Sequence, residues 1–95
     1  MIYAEITNNK DRSRFETLVN GEFAVLDYIY LNNTLALVHT FVPPKDRDQG
    51  IAFALVEFAL EYAKEHHLKI IAGCSSVVLF IKQHPEYTAL LIEEY

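Results

Sequence analysis

The chain holds a single cysteine, Cys74, so no disulfide forms within it and no cysteine cluster is there to hold a metal. It has no long apolar run and no secretory pattern, so no membrane-spanning helix is expected and the expected location is cytoplasmic. Basic residues are few, eight Lys and Arg against 13 Asp and Glu, for a net charge of −5. A nucleic-acid binder needs a basic stripe to meet phosphates, and none is visible, so neither nucleic acid nor membrane is an expected partner. Repeats, linkers and low-complexity segments are also lacking. What remains is 52% hydrophobic and 13% aromatic, enough for one compact core. One domain spanning residues 1–95 is expected.

The first half reads as hairpins. Asn20-Gly21 is a strong two-residue turn signal, because both central positions of a type I′ turn need positive φ. It pairs Val19 with Glu22, Leu18 with Phe23 and Arg14 with Asp27, the last an opposite-charge pair that supports the register. Asn32-Asn33 is a second such turn, setting Leu31 against Thr34, Tyr28 against Leu37 and Leu26 against His39. Antiparallel strands are therefore expected over 12–19, 22–31 and 34–42, with a further short strand near Ile2–Thr7. Tyr28 and Tyr30 share one face and line core or groove.

After a polar loop from Pro43 to Gln49, the residues Ile51, Leu55, Phe58, Ala59, Tyr62 and His66 recur at helical spacing over 50–66. Glu57, Glu61 and Glu65 form a solvated row, and His66-His67 caps the negative end of the helix. Leu68 to Ala72 reads as a short strand buried on both faces, parallel to strand 34–42 across the helix. Ser75 or Ser76 caps a final helix running to Gln83, which His84-Pro85 stops. Tyr87 reads as an anchoring aromatic, and residues 86–94 allow one more short helix. The fold class is α/β (α+β): antiparallel N-terminal strands, a β-α-β unit and a C-terminal helix.

Between strand and helix lies Arg47-Asp48-Gln49-Gly50-Ile51-Ala52. A glycine and a small residue stand where a helix begins, where main-chain N–H groups lack partners and carry the positive end of the helix dipole. A diphosphate docks readily on such a site. Together with the strand ending Thr40-Phe41-Val42-Pro43, this Arg-x-x-Gly-x-Ala pattern resembles the coenzyme A pyrophosphate loop of the Gcn5-related N-acetyltransferases. Cys74-Ser75-Ser76-Val77 and His84-Pro85-Glu86-Tyr87, in that order, extend the resemblance over roughly residues 12–90. They narrow it to the small single-domain members with a cysteine after the fifth strand.

The resemblance implies transfer of an acetyl group from acetyl coenzyme A, as co-substrate, to an amine on a small molecule or protein, with no metal. An acidic surface suits such an acceptor. The oligomeric state is left open. Cofactor contacts are expected from Phe41, Val42, Arg47, Asp48, Gln49, Gly50, Ile51, Ala52 and Ser75. Lys45 is a further charge near the phosphates. His39 and Cys74 are the implied catalytic pair, near the carboxyl ends of two strands expected to splay apart and admit the pantetheine arm. A Cys–His pair would carry the acetyl group as a thioester; alternatively, His39 deprotonates an amine that attacks the cofactor directly. Each residue alone also fits an ordinary core position. Two features depart from larger members: the further C-terminal strands do not follow, and Phe80 stands on the last helix without the tyrosine that serves there as acid. A module that binds coenzyme A or a protein with little turnover is the alternative, and thioester hydrolysis a weaker third.

Overall fold

The computed structural model describes residues 4–92. Five strands form one sheet in sequential order: β1 (Thr7–Asn9), β2 (Arg14–Val19), β3 (Glu22–Leu31), β4 (Thr34–Phe41) and β5 (Lys69–Ala72). The first three pairings are antiparallel and β4–β5 is parallel. Helix α1 (Ile51–Glu65) makes the crossover between β4 and β5, and α2 (Ser75–Gln83) follows β5. Short 3₁₀ turns cover Pro44–Asp46 and Pro85–Leu90.

Both asparagine turns set their hairpins as expected, with Asn20, Gly21, Asn32 and Asn33 all at positive φ. Val19 pairs Glu22, Arg14 pairs Asp27, Leu31 pairs Thr34 and Tyr28 pairs Leu37. The expected Leu26–His39 pair is corrected. A bulge shifts the register past Tyr28, so that Leu26 faces Thr40 and Asp27 faces His39, with Val38 as the extra residue. Strand β2 starts at Arg14, later than residue 12, because Ser13 sits at φ 54° in the turn before it. The short first strand lies at Thr7–Asn9; Ala4 N–H also bonds Leu18 O, while Ile2 and Tyr3 fall outside the described residues.

Phe15, Leu26, Leu35, Leu37 and Ile70 are fully or almost fully buried beneath Leu55, Val56, Ala59 and Leu60 of α1 and Val77 of α2. Phe15 sits at the centre of an aromatic cluster, 5.0–5.7 Å from the rings of Tyr28, Phe58 and Tyr62. The opposite face is uncovered. Ile71 is 45% exposed, so β5 is buried on one face only, and Leu18, Phe23, Ile29 and Phe41 are likewise exposed. On α1 the buried set also takes in Val56, Leu60 and Ala63, while His66 is exposed.

The ends of the helices are set by main-chain geometry. Leu68 N–H reaches Ala63 O and His67 N–H reaches Lys64 O, with His67 at φ 58°; His66 Nδ1 lies 2.9 Å from Tyr62 O. The N-cap of α2 is Cys74, one residue before the expected serines, and no side chain caps it. Tyr87 anchors the last turn by donating to Glu61 Oε2 at 2.6 Å. That hydrogen bond, burial and nearby carboxylates push the Tyr87 hydroxyl up to about 12.

Candidate functional site

Strands β4 and β5 pair only from Thr34–Lys69 to Leu37–Ala72, and Gly73 N–H closes the ladder on Leu37 O at 2.8 Å. Beyond that point β4 continues against β3 as far as Phe41, paired with Val25, while the chain after Gly73 turns into α2. The two strands therefore part at their carboxyl ends. Glycine is required at the fork: a Cβ on Gly73 would lie 2.8 Å from Leu37 O and 3.5 Å from Val38 Cα.

Next to this gap, a cleft of about 560 Å³ is lined by Thr40 from β4, Val42 just beyond its end, Arg47, Asp48 and Gly50 from the loop, and Phe53 from α1. Ile51, Ala52, Asp46 and Ser76 complete its wall. Gly50 is the N-cap of α1 at φ 81°, a left-handed conformation that glycine adopts without cost. It has no side chain to satisfy the first turn, and no acidic residue lies in that turn. Ala54 N–H is the first to find a helical carbonyl, on Gly50 O, so the preceding amides are left for a ligand. A Cβ at Gly50 would meet nothing within 4 Å, so open space lies beside the helix start. Such a site fits a diphosphate.

Arg47 is held rather than free. Its Nε donates to Val42 O at 2.7 Å and its guanidinium lies 5.7 Å from the Phe41 ring centre, fixing the loop to the strand end. Asp46 is buried, with Oδ1 accepting from Asn20 Nδ2 at 2.9 Å and Oδ2 without a partner among the described residues. The polar loop therefore carries a 3₁₀ turn tied to the β2–β3 hairpin.

Of the expected cofactor residues, Val42, Arg47, Asp48, Gly50, Ile51 and Ala52 line this cleft together. Gln49 is exposed outside the lining, and Phe41 lies on the uncovered face, touching Arg47 from there. Ser75 lines a separate shallow cavity with Val78, Leu79 and Lys82. Cys74 is half-buried, and its Sγ lies 3.1 Å from Thr40 Oγ1. His39 is exposed and pairs with Asp27, so strand alternation sends it to the face opposite Thr40. The expected direct His39–Cys74 pair is corrected to a Thr40–Cys74 contact, because the bulge at Val38 shifts the strand by one residue. Thr40, Phe53, Ser76 and Asp46 were not among the expected site residues. Buried Leu35 and Leu37 are odd-numbered and buried Val42 is even, and this change of parity is the sequence trace of the bulge.

Residues 14–90 match a protein family described as GCN5-related N-acetyl-transferase. The chain belongs to that family. The acetyltransferase fold is shared with a GCN5-like putative N-acetyltransferase from Staphylococcus aureus, solved by NMR, at a TM-score of 0.73 and 26% identity. That likeness covers 100% of this chain and 94% of the other. The chain is also 34% identical over 87 residues to Protein NATD1 of Danio rerio, covering 86% of this chain and 79% of the relative. Identity to Protein NATD1 of Homo sapiens is 32% over 83 residues, 84% and 74% of the two chains.

Proposed function

We propose that this GCN5-related protein is an N-acetyltransferase that takes the acetyl group from acetyl coenzyme A and delivers it to an amine. The observation that carries the proposal is the uncapped α1 N-terminus opening onto a cleft beside the fork between β4 and β5. The free amides of Ile51, Ala52 and Phe53 hold the diphosphate, Arg47 adds charge beside it, and the pantetheine arm runs toward Thr40 and Cys74. The geometry favours direct transfer. His39, on the open face, takes a proton from the amine as its nitrogen attacks the thioester carbon; the new C–N bond replaces the C–S bond and the cofactor leaves as its thiolate, which takes up a proton from solvent. Cys74, already engaged with Thr40, lines the path.

The test is single-turnover transfer to an amine library with the wild type, His39→Ala and Cys74→Ala. His39→Ala is expected to slow transfer by roughly 10²–10⁴-fold while cofactor binding persists. Cys74→Ala is expected to retain transfer. An acetylated Cys74 trapped before amine is added, with transfer lost in Cys74→Ala, overturns the direct route in favour of a covalent one.

A coenzyme A-binding module with little turnover is the second reading. It is favoured by the lack of a tyrosine on α2, since Tyr87 is engaged with Glu61 on α1 instead. Thermal stabilisation by acetyl coenzyme A with no thiol release against any amine would establish it.

A further inference from the structure

The amino end of β4, opposite the cleft, borders a separate cavity of about 530 Å³, between the β1–β2 turn, the start of β4 and the end of α1. Leu35 on its wall is five strand residues from Thr40, placing it about 16 Å from the cofactor cleft. Its size falls within the range of small-molecule sites. The walls are aromatic: Tyr28, Tyr30 and Tyr62, with the His66 ring stacked on Tyr62 at 4.0 Å.

The polar groups of this cavity are unevenly used. Tyr28 donates its hydroxyl to Asn8 Oδ1 at 2.7 Å, and Tyr30 donates to Asn33 Oδ1 at 3.2 Å. Each asparagine carbonyl thereby accepts one hydrogen bond, and the two NH₂ groups remain as donors. The main-chain acceptors nearby are also taken: Ser13 O by Tyr28 N–H, Asn33 O by Lys69 N–H, Tyr62 O by His66. Ser13 adds a hydroxyl, and Lys10 is the one lining residue with a permanent charge. Among the described residues no acidic side chain lines the cavity. In a protein of net charge −5, a cavity that offers an ammonium and two amide NH₂ groups, with no carboxylate among its described lining residues, favours an acceptor-rich anion. The aromatic walls call for a flat one.

We propose that this cavity binds a small aromatic carboxylate, its ring against Tyr30 and the Tyr62–His66 stack, its carboxylate on Lys10, Asn8 and Asn33. The site is independent of the cofactor cleft and of the transferase reading.

The test is a titration of the ¹⁵N-labelled full chain with sodium benzoate, followed by NMR. Benzylamine has nearly the same ring and the opposite charge, and acetate has the charge without the ring. Saturable shifts are expected in the side-chain amides of Asn8 and Asn33 and in the backbone around Tyr30 and His66. Benzylamine and acetate should bind at least about tenfold more weakly, the worth of one charge-assisted contact or of the ring. Lys10→Gln and Tyr30→Ala alter exposed side chains, so both variants should fold, and each should weaken benzoate by about the same factor. The proposal is overturned by an absence of saturable shifts, by benzylamine binding as tightly as benzoate, by shifts at the α1 N-terminus instead, or by unchanged affinity in both variants.

Discussion

Replacing Gly50 separates two demands that meet at one residue. Its φ of 81° is left-handed, yet a Cβ there would touch nothing within 4 Å. The cost of Gly50→Ala in the free protein is therefore torsional, about 1–2 kcal/mol for an L-residue held in that conformation. In a domain of this size each kcal/mol moves Tm by roughly 4–8 °C, so Gly50→Ala should melt about 4–16 °C below wild type. Asn tolerates the conformation better and should fall between Gly and Ala, while Val, branched at Cβ, should melt lowest. Differential scanning fluorimetry gives this ranking directly. Repeating it with acetyl coenzyme A at about 100 times its Kd should raise the wild-type melt by about 2.7 kcal/mol of stabilisation, or about 11–22 °C. The same increment should shrink in Gly50→Ala and vanish in Gly50→Val, whose bulkier side chain would stand in the cleft that Gly50 lines. Equal melting of the free proteins would refute the conformational argument. An undiminished ligand increment in Gly50→Val would refute docking at this helix start.

Gly73→Ala should act by contact rather than torsion: its Cβ would press on Leu37 O at 2.8 Å, and urea unfolding should show a loss of about 1–3 kcal/mol. Tyr87→Phe should cost about 1 kcal/mol at pH 7 through the lost bond to Glu61. Because the folded Tyr87 hydroxyl is pushed from 10 up to about 12, its contribution is complete below pH 10 and lost as pH rises toward 12. Urea midpoints from pH 7 to 11 should therefore converge for wild type and Tyr87→Phe only at the alkaline end. Asp46→Asn should keep an oxygen for Asn20 while replacing a buried carboxyl group whose Oδ2 has no partner among the described residues, beside the proposed cofactor cleft. Calorimetry should show coenzyme A binding tightened, without loss of Tm.

Much of the fold was legible because its signals are local. Asn20-Gly21 and Asn32-Asn33 dictate positive φ, the turns dictate the register, and the register sorts Phe15, Leu26 and Leu35 onto one face. The helical period of Ile51, Leu55 and Ala59 then calls for a parallel return strand. Sidedness was not legible in this way. The run Leu68–Ala72 is apolar at nearly every position, as a doubly covered strand would be, yet α1 and α2 pack against one another over a single face. Ile71 is apolar and exposed, and no single-strand pattern distinguishes it from Ile70.

The candidate site shows the same division at higher stakes. Gly50 was legible because a glycine followed by a small residue at a helix start leaves main-chain amides open to approach, and the segment from Arg47 to Ala52 follows from it by proximity alone. His39 and Cys74 required a distance between two positions far apart in sequence, and that distance passes through the bulge. Carried through to Thr40, the alternation set by Leu35 and Leu37 would turn His39 inward. With Val38 inserted, Thr40 turns toward Cys74 and His39 turns out toward Asp27. A bulge costs little where the strand loses its neighbour, and β4 loses β5 after Leu37, the residue before Val38. The fork and the bulge are thus one structural event. It leaves the gap open to both faces of the sheet, with a thiol on one and an imidazole on the other, and the proposed transfer would bring the acetyl donor and its acceptor to that gap from opposite sides.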